Sequence, residues 1–546
     1  MRRAISWTAL AFALVAAGGV AACQGCHTPQ PTGQADAASD KPTVRLYVMS
    51  TVAGALEPCG CSKDQLGGID HLAAFVASEK QAAPASLVLG AGPLLFMEPK
   101  LSPDDATQAS WKAEAIAESA KDIGLAAWAP GENDWAAGGP TLGKYRDEAS
   151  AKLLAGNVAS SELTSGTFVR EVSGIKVGVV GVSDPRGRAG GYPEGVDAKP
   201  AMDALKSGVA ELKKQGAKIL IALAALPRGQ ALRIADEVPE LNVLVVGKPS
   251  EAGDANDAQK APVLAGSTLV VETANHLQTV GVIDLFVRPG EGGGAGDKLV
   301  FADAGGVARA DELLGLSRRI RDLETRLNAW EGDKSVKAED VAARKADLER
   351  LRAEKAKLES QTTAVKGSFF RYSAVEVREK LGRDPAVSAR MLAFYKRVNE
   401  HNKQAFADRK PTPAPEGQAS YIGIERCTEC HDEERKVWDK TAHATAYSTL
   451  QKGFKEYNLD CVSCHVTGYG KPGGSTVTFN DKLQNVQCEE CHGPGSLHAK
   501  APNKKGLITA KPAAEACVSA CHHPPHVEGF DAAAKMKLVL GPGHGM

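Results

Sequence analysis

The feature that most constrains this chain is the pattern Cys-x-x-Cys-His, which occurs three times in its last quarter, at 427–431, 461–465 and 488–492. This pattern is the attachment signature of a c-type haem. Two thiols about one helical turn apart reach the two vinyl groups of one porphyrin, and the following histidine lies under the iron as proximal ligand. We name these segments motif 1, motif 2 and motif 3. They predict a multihaem cytochrome.

The residues expected to bind haem in these motifs are of two kinds. The cysteines that would form thioethers are Cys427, Cys430, Cys461, Cys464, Cys488 and Cys491. The proximal iron ligands would be His431, His465 and His492.

A fourth segment at 517–522, motif 4, departs from the pattern because three residues separate its cysteines. A loop can absorb the extra residue and leave Cys521 and His522 in register with the iron. We therefore expect a fourth haem, attached at Cys517 and Cys521. The alternative is a disulfide between these two cysteines.

Length and composition limit the number of domains, the kind of partner and the role of the cysteines. Its 546 residues suffice for two or three domains. The 65 basic and 66 acidic residues nearly cancel, so net charge indicates no nucleic-acid partner. Eight of the 12 cysteines lie from Cys427 onward, which is typical of cofactor attachment and not of a dispersed disulfide framework.

The N-terminus predicts export. Arg2 and Arg3 precede an apolar run at 4–20, as in a signal peptide covering 1–22. Residues 20–23 resemble a bacterial lipobox, which implies cleavage before Cys23, a lipid on its sulfur and a flexible tether at 23–42. The protein would then be anchored by lipid to a membrane of the bacterial cell envelope.

A second reading of Cys23 competes with the lipid anchor. Cys23, Cys26 and His27 form a Cys-x-x-Cys-His of their own. One sulfur cannot carry both a lipid and a haem thioether, so the alternative is a periplasmic protein with a haem at this end.

Residues 43–305 show an α/β pattern, in which short apolar runs alternate with stretches of helical spacing. This alternation predicts an α/β layered sandwich. The expected strands are 44–49, 86–89, 177–182, 219–223, 243–246, 269–271 and 280–285, and the expected helices are 106–123, 201–215 and 229–238.

The segments 50–54, 67–72, 87–93, 131–135 and 280–285 resemble, in that order, the calcineurin-like metallophosphatase domain of 5′-nucleotidases. The resemblance implies that family's fold and its two-metal site. The expected ligands are replaced, however. The residues that stand at ligand positions are Thr51, Ala53, Pro93, Glu132, Asn133, Ala224, Ala225, Gly247 and Lys248. Two-metal hydrolysis needs ligands that hold both ions, so we expect an inactive domain. Metal-dependent phosphoesterase activity is the alternative.

Cys59 and Cys61 lie on a tight turn, with His71 ten residues beyond Cys61. Two thiolates and an imidazole would suit a soft metal or a redox site. The alternative is two buried thiols, or a disulfide to a partner such as Cys26.

Residues 306–410 predict a helical spacer. Leucines recur at helical spacing on both sides of Gly332 and Asp333, which favours an antiparallel hairpin of two charged helices. Dimerisation through this hairpin is the alternative to a simple spacer. A Pro-rich linker at 411–418 leads to the cytochrome domain at 419–546.

The residues around the motifs carry a second resemblance. Tyr421-Ile-Gly, Trp438 to His443 and Val486 to His498 resemble the tetrahaem cytochromes c of the c-554 type, which accept electrons from hydroxylamine oxidoreductase. The resemblance implies four haems, mostly with two axial histidines. His443 and His498 would be distal ligands to haems other than those they adjoin in sequence. His523, His526 and His544 remain as further candidates, and we include His526 among the expected ligands.

These features predict electron transfer to or from a redox partner protein. An open haem position would instead permit an oxidoreductase acting on a small nitrogen or oxygen species.

Overall fold

The computed structural model describes residues 41–58, 65–159, 163–186, 195–250, 256–291, 298–330, 336–523, 527 and 530–541. Residues Lys41–Met546 form one compact unit. The predicted signal peptide, the alternatives at Cys23 and the thiols of Cys59 and Cys61 lie outside the described residues.

The described strands are β1 (Val44–Ser50), β2 (Ser86–Ala91), β3 (Leu125–Ala129), β4 (Lys152–Leu153), β5 (Thr167–Val172), β6 (Ile175–Ser183), β7 (Ile219–Ala225), β8 (Val243–Val246), β9 (Val263–Ala265), β10 (Thr268–Val271), β11 (Thr279–Phe286), β12 (Ala302–Asp303) and β13 (Phe369–Glu376). They form a seven-stranded sheet in the order β12-β13-β11-β1-β2-β3-β4 and a six-stranded sheet in the order β5-β6-β7-β8-β10-β9. The α/β prediction is therefore confirmed.

The α-helices are α1 (Ile69–Glu79), α2 (Ala106–Ile123), α3 (Gly139–Glu148), α4 (Ala201–Lys214), α5 (Arg228–Glu237), α6 (Gly306–Trp330), α7 (Ala338–Ser360), α8 (Pro385–Ala405), α9 (Ile424–Thr428), α10 (Asp432–Trp438), α11 (Ala446–Lys452), α12 (Val462–His465), α13 (Cys488–His492), α14 (Ser496–Lys500), α15 (Glu515–Ala520) and α16 (Ala532–Met536). Short 3₁₀ helices occur at Glu132–Trp135, Glu379–Leu381 and Ala442–Thr445.

The two sheets and their helices form layers because successive strand residues point to opposite faces. In β1, Leu46 and Val48 enter the core between the two sheets, whereas Tyr47 and Met49 face the core beneath α1, α2 and α8. The outer face of the second sheet packs against α4 and α5. The apolar runs read from the sequence thus serve two cores at once, which explains why whole strands such as β7 are buried.

The predicted spacer at 306–410 is wrong in its second half. Strand β13 pairs antiparallel with β11 over its full length, from Phe369 with Phe286 to Glu376 with Thr279. Helix α8 packs Met391 and Phe394 into the same core as α1 and α2. The cause is non-local, since β13 completes a sheet whose other strands precede it by more than 60 residues.

Only α6 and α7 form the expected helical hairpin. Their contact is a small apolar cluster of Leu316, Ile320, Leu348, Leu351 and Leu358. Association of two copies through this hairpin stays a prediction.

The cytochrome region has short helices joined by turns, and its principal apolar cluster is small. Covalently attached porphyrins would add apolar surface to such a region. In the described part of the chain, no helix has the length and apolar character needed to cross a membrane.

Candidate haem-binding site

Each motif lies on a short helix or the turn that follows it. In motif 1, α9 carries Cys427, and the His431 backbone N–H donates to the Cys427 carbonyl at 3.0 Å. In motif 4, the His522 N–H donates to the Cys517 carbonyl at 2.9 Å. The backbone therefore holds the first cysteine and the histidine together even where the spacing is one residue longer. None of the eight cysteines described in this region forms a disulfide.

Two pairs of imidazoles face each other. The ring centroids of His431 and His498 are 6.4 Å apart, and those of His443 and His522 are 6.3 Å apart. Two imidazoles that hold one iron between them have ring centroids about 6 Å apart. On each side of the iron, the metal to nitrogen bond contributes about 2 Å and the distance from nitrogen to ring centre about 1 Å. The spacing of both pairs fits one axially coordinated iron.

The remaining two proximal histidines are oriented by backbone carbonyls. His465 Nδ1 lies 2.6 Å from the Ala446 oxygen, and His492 Nδ1 lies 2.7 Å from the Thr509 oxygen. A carbonyl only accepts, so Nδ1 carries the hydrogen and Nε2 keeps a lone pair for a metal. Carbonyl partners of this kind are typical of metal-binding histidines.

Burial keeps several of these imidazoles in the form that binds metal. It lowers the pKa of His443 and of His465, and it is the main cause of the lowered pKa of His522, to which His443 and His523 contribute. A neutral imidazole is required for coordination. His526 lies outside the described residues.

Thiols of different motifs are neighbours in the fold. Hydrogen bonding between Cys427 and Cys488 raises the pKa of Cys427 and lowers that of Cys488. In the same way, Cys521 lowers the pKa of Cys464 to about 6. Motif 1 is thus next to motif 3, and motif 2 is next to motif 4. Paired cysteines, proximal histidines and facing imidazoles together fit c-type haems.

Residues 426–493 match the family model described as cytochrome c554 and c-prime. Cytochrome c-554 from Nitrosomonas europaea is 36% identical over 109 aligned residues, and the match covers 17% of this chain and 46% of that protein. The match therefore spans less than half the length of this curated relative. It identifies the C-terminal region as similar to c-type cytochromes.

The α/β part is similar to solved phosphoesterase structures. A 5′-nucleotidase precursor from Thermus thermophilus has 14% identity and a TM-score of 0.42, covering 69% of this chain and 61% of that chain. A calcineurin-like phosphoesterase from Bacillus subtilis has 15% identity and a TM-score of 0.37, covering 46% and 86%, respectively. Similarities at this level assign no activity to the chain.

Within the c554-like region, the two residues between the cysteines of motif 3 hold other motifs in place. The buried Glu489 carboxylate accepts backbone N–H bonds from Ile422, from Gly423 at 2.8 Å and from Gly495 at 2.7 Å. Ile422 and Gly423 lead directly into α9 and motif 1. The neighbouring Glu490 accepts the Gly468 N–H at 2.7 Å, three residues after His465 of motif 2.

The segment just before motif 3 extends this connection. The Asn485 N–H donates to the His465 carbonyl at 3.0 Å, and the Val486 N–H donates to the His443 carbonyl at 3.2 Å. The Trp438 indole N–H donates to the Val486 carbonyl at 2.8 Å. Sequence reasoning missed Glu489 and Glu490 as positioning residues. Their only local signal is two acids inside a haem motif, and their partners are distant in sequence.

The strand ends at which a metallophosphatase would hold metals are filled here by backbone. A Cβ added to Gly247 would lie 2.0 Å from the Ala91 carbonyl carbon, so the chain after β8 packs directly on the end of β2. Thr51 Oγ1 donates to the Lys248 carbonyl at 3.0 Å. Asn133 Nδ2 donates to the Met97 carbonyl at 2.7 Å. Among the described residues, no group of three or more His, Cys, Asp or Glu side chains is arranged to hold a metal ion.

Proposed function

We propose that this chain is an exported c-type cytochrome that transfers electrons through four haems, one at each motif. The observation that carries the proposal is the spacing of the His431–His498 and His443–His522 rings, 6.4 Å and 6.3 Å between centroids. His431 with His498, and His443 with His522, would each hold one haem iron from two sides, which favours electron relay over substrate binding at these sites.

Bound haem c supplies reversible one-electron chemistry, and the chain sets its placement. Backbone carbonyls of Ala446 and Thr509 orient the proximal imidazoles of motifs 2 and 3. The neighbouring thiols would place the haems of motifs 1 and 3 side by side, and likewise those of motifs 2 and 4. Motifs that hold haems next to one another in this way would support electron transfer from haem to haem and on to a redox partner protein.

The proposal includes export and a lipid anchor at Cys23, which the sequence around the signal peptide supports. Intact mass of the mature protein, made in a host that matures c-type cytochromes, tests both parts at once. We expect four haems and a diacylated Cys23. Three haems would remove motif 4 from the relay, and five haems without lipid would make Cys23 and Cys26 a haem site.

Substitution of the facing histidines tests the axial pairs. His498→Ala should convert one of the four irons from low spin to high spin, because the iron at His431 loses its second imidazole. His443→Ala should convert a different iron, so each variant is the control for the other, and the double variant should convert two. Unchanged electron paramagnetic resonance spectra in the single variants would contradict the pairing.

A second candidate is an oxidoreductase that binds a small nitrogen or oxygen species at one haem. The observation favouring it concerns His465, because the described residues place no second imidazole ring opposite it. We expect nitric oxide or carbon monoxide to shift the spectrum of one haem in the parent protein. If neither gas changes any haem, all four irons are closed and relay is their only role.

A further inference from the structure

We infer that helices α2 and α8 of the α/β part are a structural component of the second haem site. They bind residues 454–460, which we call the bridge segment, and this segment leads directly into Cys461 of motif 2. The inference rests on the proposed attachment of haem at Cys461 and Cys464. It gives the α/β part a role in the cytochrome that does not depend on hydrolysis.

Three buried amides form the centre of this contact. Gln108 of α2, Asn402 of α8 and Asn458 of the bridge segment are 2%, 2% and 1% exposed, respectively. Asn402 Nδ2 donates to Gln108 Oε1 at 2.9 Å, and Gln108 Nε2 lies 3.4 Å from Asn458 Oδ1. Buried amides are costly without partners, so these side chains specify one docking position.

The same two helices bind the backbone of the bridge segment. Gln108 Oε1 accepts the Leu459 N–H at 3.0 Å. Asn402 Nδ2 donates to the Tyr457 carbonyl at 2.9 Å, and Asn399 Oδ1 accepts the Tyr457 N–H at 3.1 Å. Helix α8 thus binds both the backbone N–H and the backbone carbonyl of Tyr457, which fixes the register of the bridge segment against the helix.

Charged pairs flank the amides. Lys112 of α2 pairs with Asp460 at 2.7 Å, next to Cys461. At the other end, Lys455 pairs with Glu57 and lies over the ring of Tyr395, 4.2 Å from its centroid. The contact therefore spans the bridge segment from one end to the other.

Hydrogen bonds connect the bridge segment to motif 2. The Asn458 carbonyl accepts the N–H groups of Cys461 at 3.1 Å and Val462 at 2.9 Å. Val462 begins α12, which carries Cys464 and His465. One residue thus links the amide cluster on the α/β part to the helix that presents the iron ligand of motif 2.

The test compares three amide substitutions in the full-length, haem-loaded protein. Gln108→Ala and Asn402→Ala remove the cluster from the α/β side. Gln404→Ala is the matched control, because Gln404 is an exposed amide on the same helix as Asn402. The readouts are haem stoichiometry by intact mass, and potentiometric titration followed by electron paramagnetic resonance of the individual haems.

We expect both cluster variants to shift the midpoint potential and resonance signal of one haem, that of motif 2, or to lose that haem alone. Gln404→Ala should match the parent. Cluster variants identical to the parent, or equal shifts at all haems, would overturn the inference. A parent without haem at Cys461 and Cys464 would instead overturn the proposed function, so the two failures are distinguishable.

A milder variant covers the case in which the cluster variants do not fold. Lys112→Gln removes the charged pair with Asp460, whose side chain is 46% exposed, and leaves the three amides in place. It should shift the same haem in the same direction by a smaller amount. A Lys112→Gln protein with parental signals, alongside cluster variants that fail to fold, would assign the cluster to stability alone and reject the inference.

Discussion

Among single residues, Glu489 is notable because it lies inside a haem motif but binds protein backbone. Its carboxylate joins the segment before motif 1 to the turn after motif 3 by accepting N–H groups of Ile422, Gly423 and Gly495. Three donors on one acceptor offset the cost of burying it. The relative placement of motifs 1 and 3 therefore depends on a residue that is not among the predicted haem ligands.

Substitution of Glu489 should destabilise the cytochrome region. In Glu489→Gln, an amide NH₂ faces backbone donors, and one unpaired buried donor costs about 1–3 kcal/mol in free energy of unfolding. Glu489→Ala should cost more. Denaturant unfolding of haem-loaded protein measures both, with the exposed Glu433→Gln as control. Equal stability of the Glu489 and Glu433 variants would contradict the positioning role.

Asp134 makes stability depend on pH. Burial raises its pKa to about 6, against the opposing effect of backbone donors at Leu95, Leu94 and Gly131. The folded protein therefore favours the protonated carboxyl more strongly than the unfolded chain does. Its stabilising contribution is complete below the unfolded pKa of about 4 and is lost as pH rises through about 6, a change of about 3 kcal/mol.

The measurement is denaturant unfolding of the parent and Asp134→Asn between pH 4 and pH 7. The Asn variant cannot titrate at this position, so the parent should lose stability relative to it across this window. Parallel pH profiles of the two proteins would show that Asp134 does not titrate there.

Among the secondary-structure elements, the hairpin of α6 and α7 has its own small core, separate from the cores of the two sheets. Helix α8 follows it in sequence but packs elsewhere, on α1 and α2. Secondary structure type was readable from leucine spacing, while the assignment of each helix to a core was not. The packing position of a long helix with a sparse apolar stripe depends on which surface lies beside it in the fold.

Leu351→Ala should loosen this hairpin without unfolding the sheets. Leu351 is 4% exposed, and truncating a buried leucine costs about 2–5 kcal/mol. Hydrogen exchange should accelerate in 306–360 and stay unchanged in β1, β2 and β7. Glu354→Ala, on an exposed position of α7, is the control. Faster exchange throughout the sheets would show that the hairpin is not a separate unit.

In the molecule as a whole, a c554-like region is joined to an α/β part. Backbone contacts between Gly247 and Ala91 close the strand ends of this α/β part. Two catalytic metal ions about 4 Å apart need several ligands, and the described residues show no cluster of His, Cys, Asp or Glu that could provide them. The buried amides of α2 and α8 instead engage the segment before motif 2.

We expect no phosphoester hydrolysis by the full-length protein. Phosphatase assays with nucleoside monophosphates and added Mg²⁺, Mn²⁺ or Zn²⁺ should show turnover no higher than buffer containing the same metal. Robust metal-dependent turnover by the purified protein would overturn this view and restore phosphoesterase as an activity of the α/β part.

Local features of this protein could be predicted from its residues alone. A c-type haem motif is complete within five or six residues, so the sequence predicts the thioether and proximal positions directly, and strand periodicity predicts the α/β layers that the structure confirms. Tertiary structure decided what depends on distant segments: the facing of His431 and His498, the place of β13 in the first sheet, and the Gln108–Asn402–Asn458 cluster. Such contacts depend on chain folding over long separations, and single-residue patterns carry no record of which partner will be near.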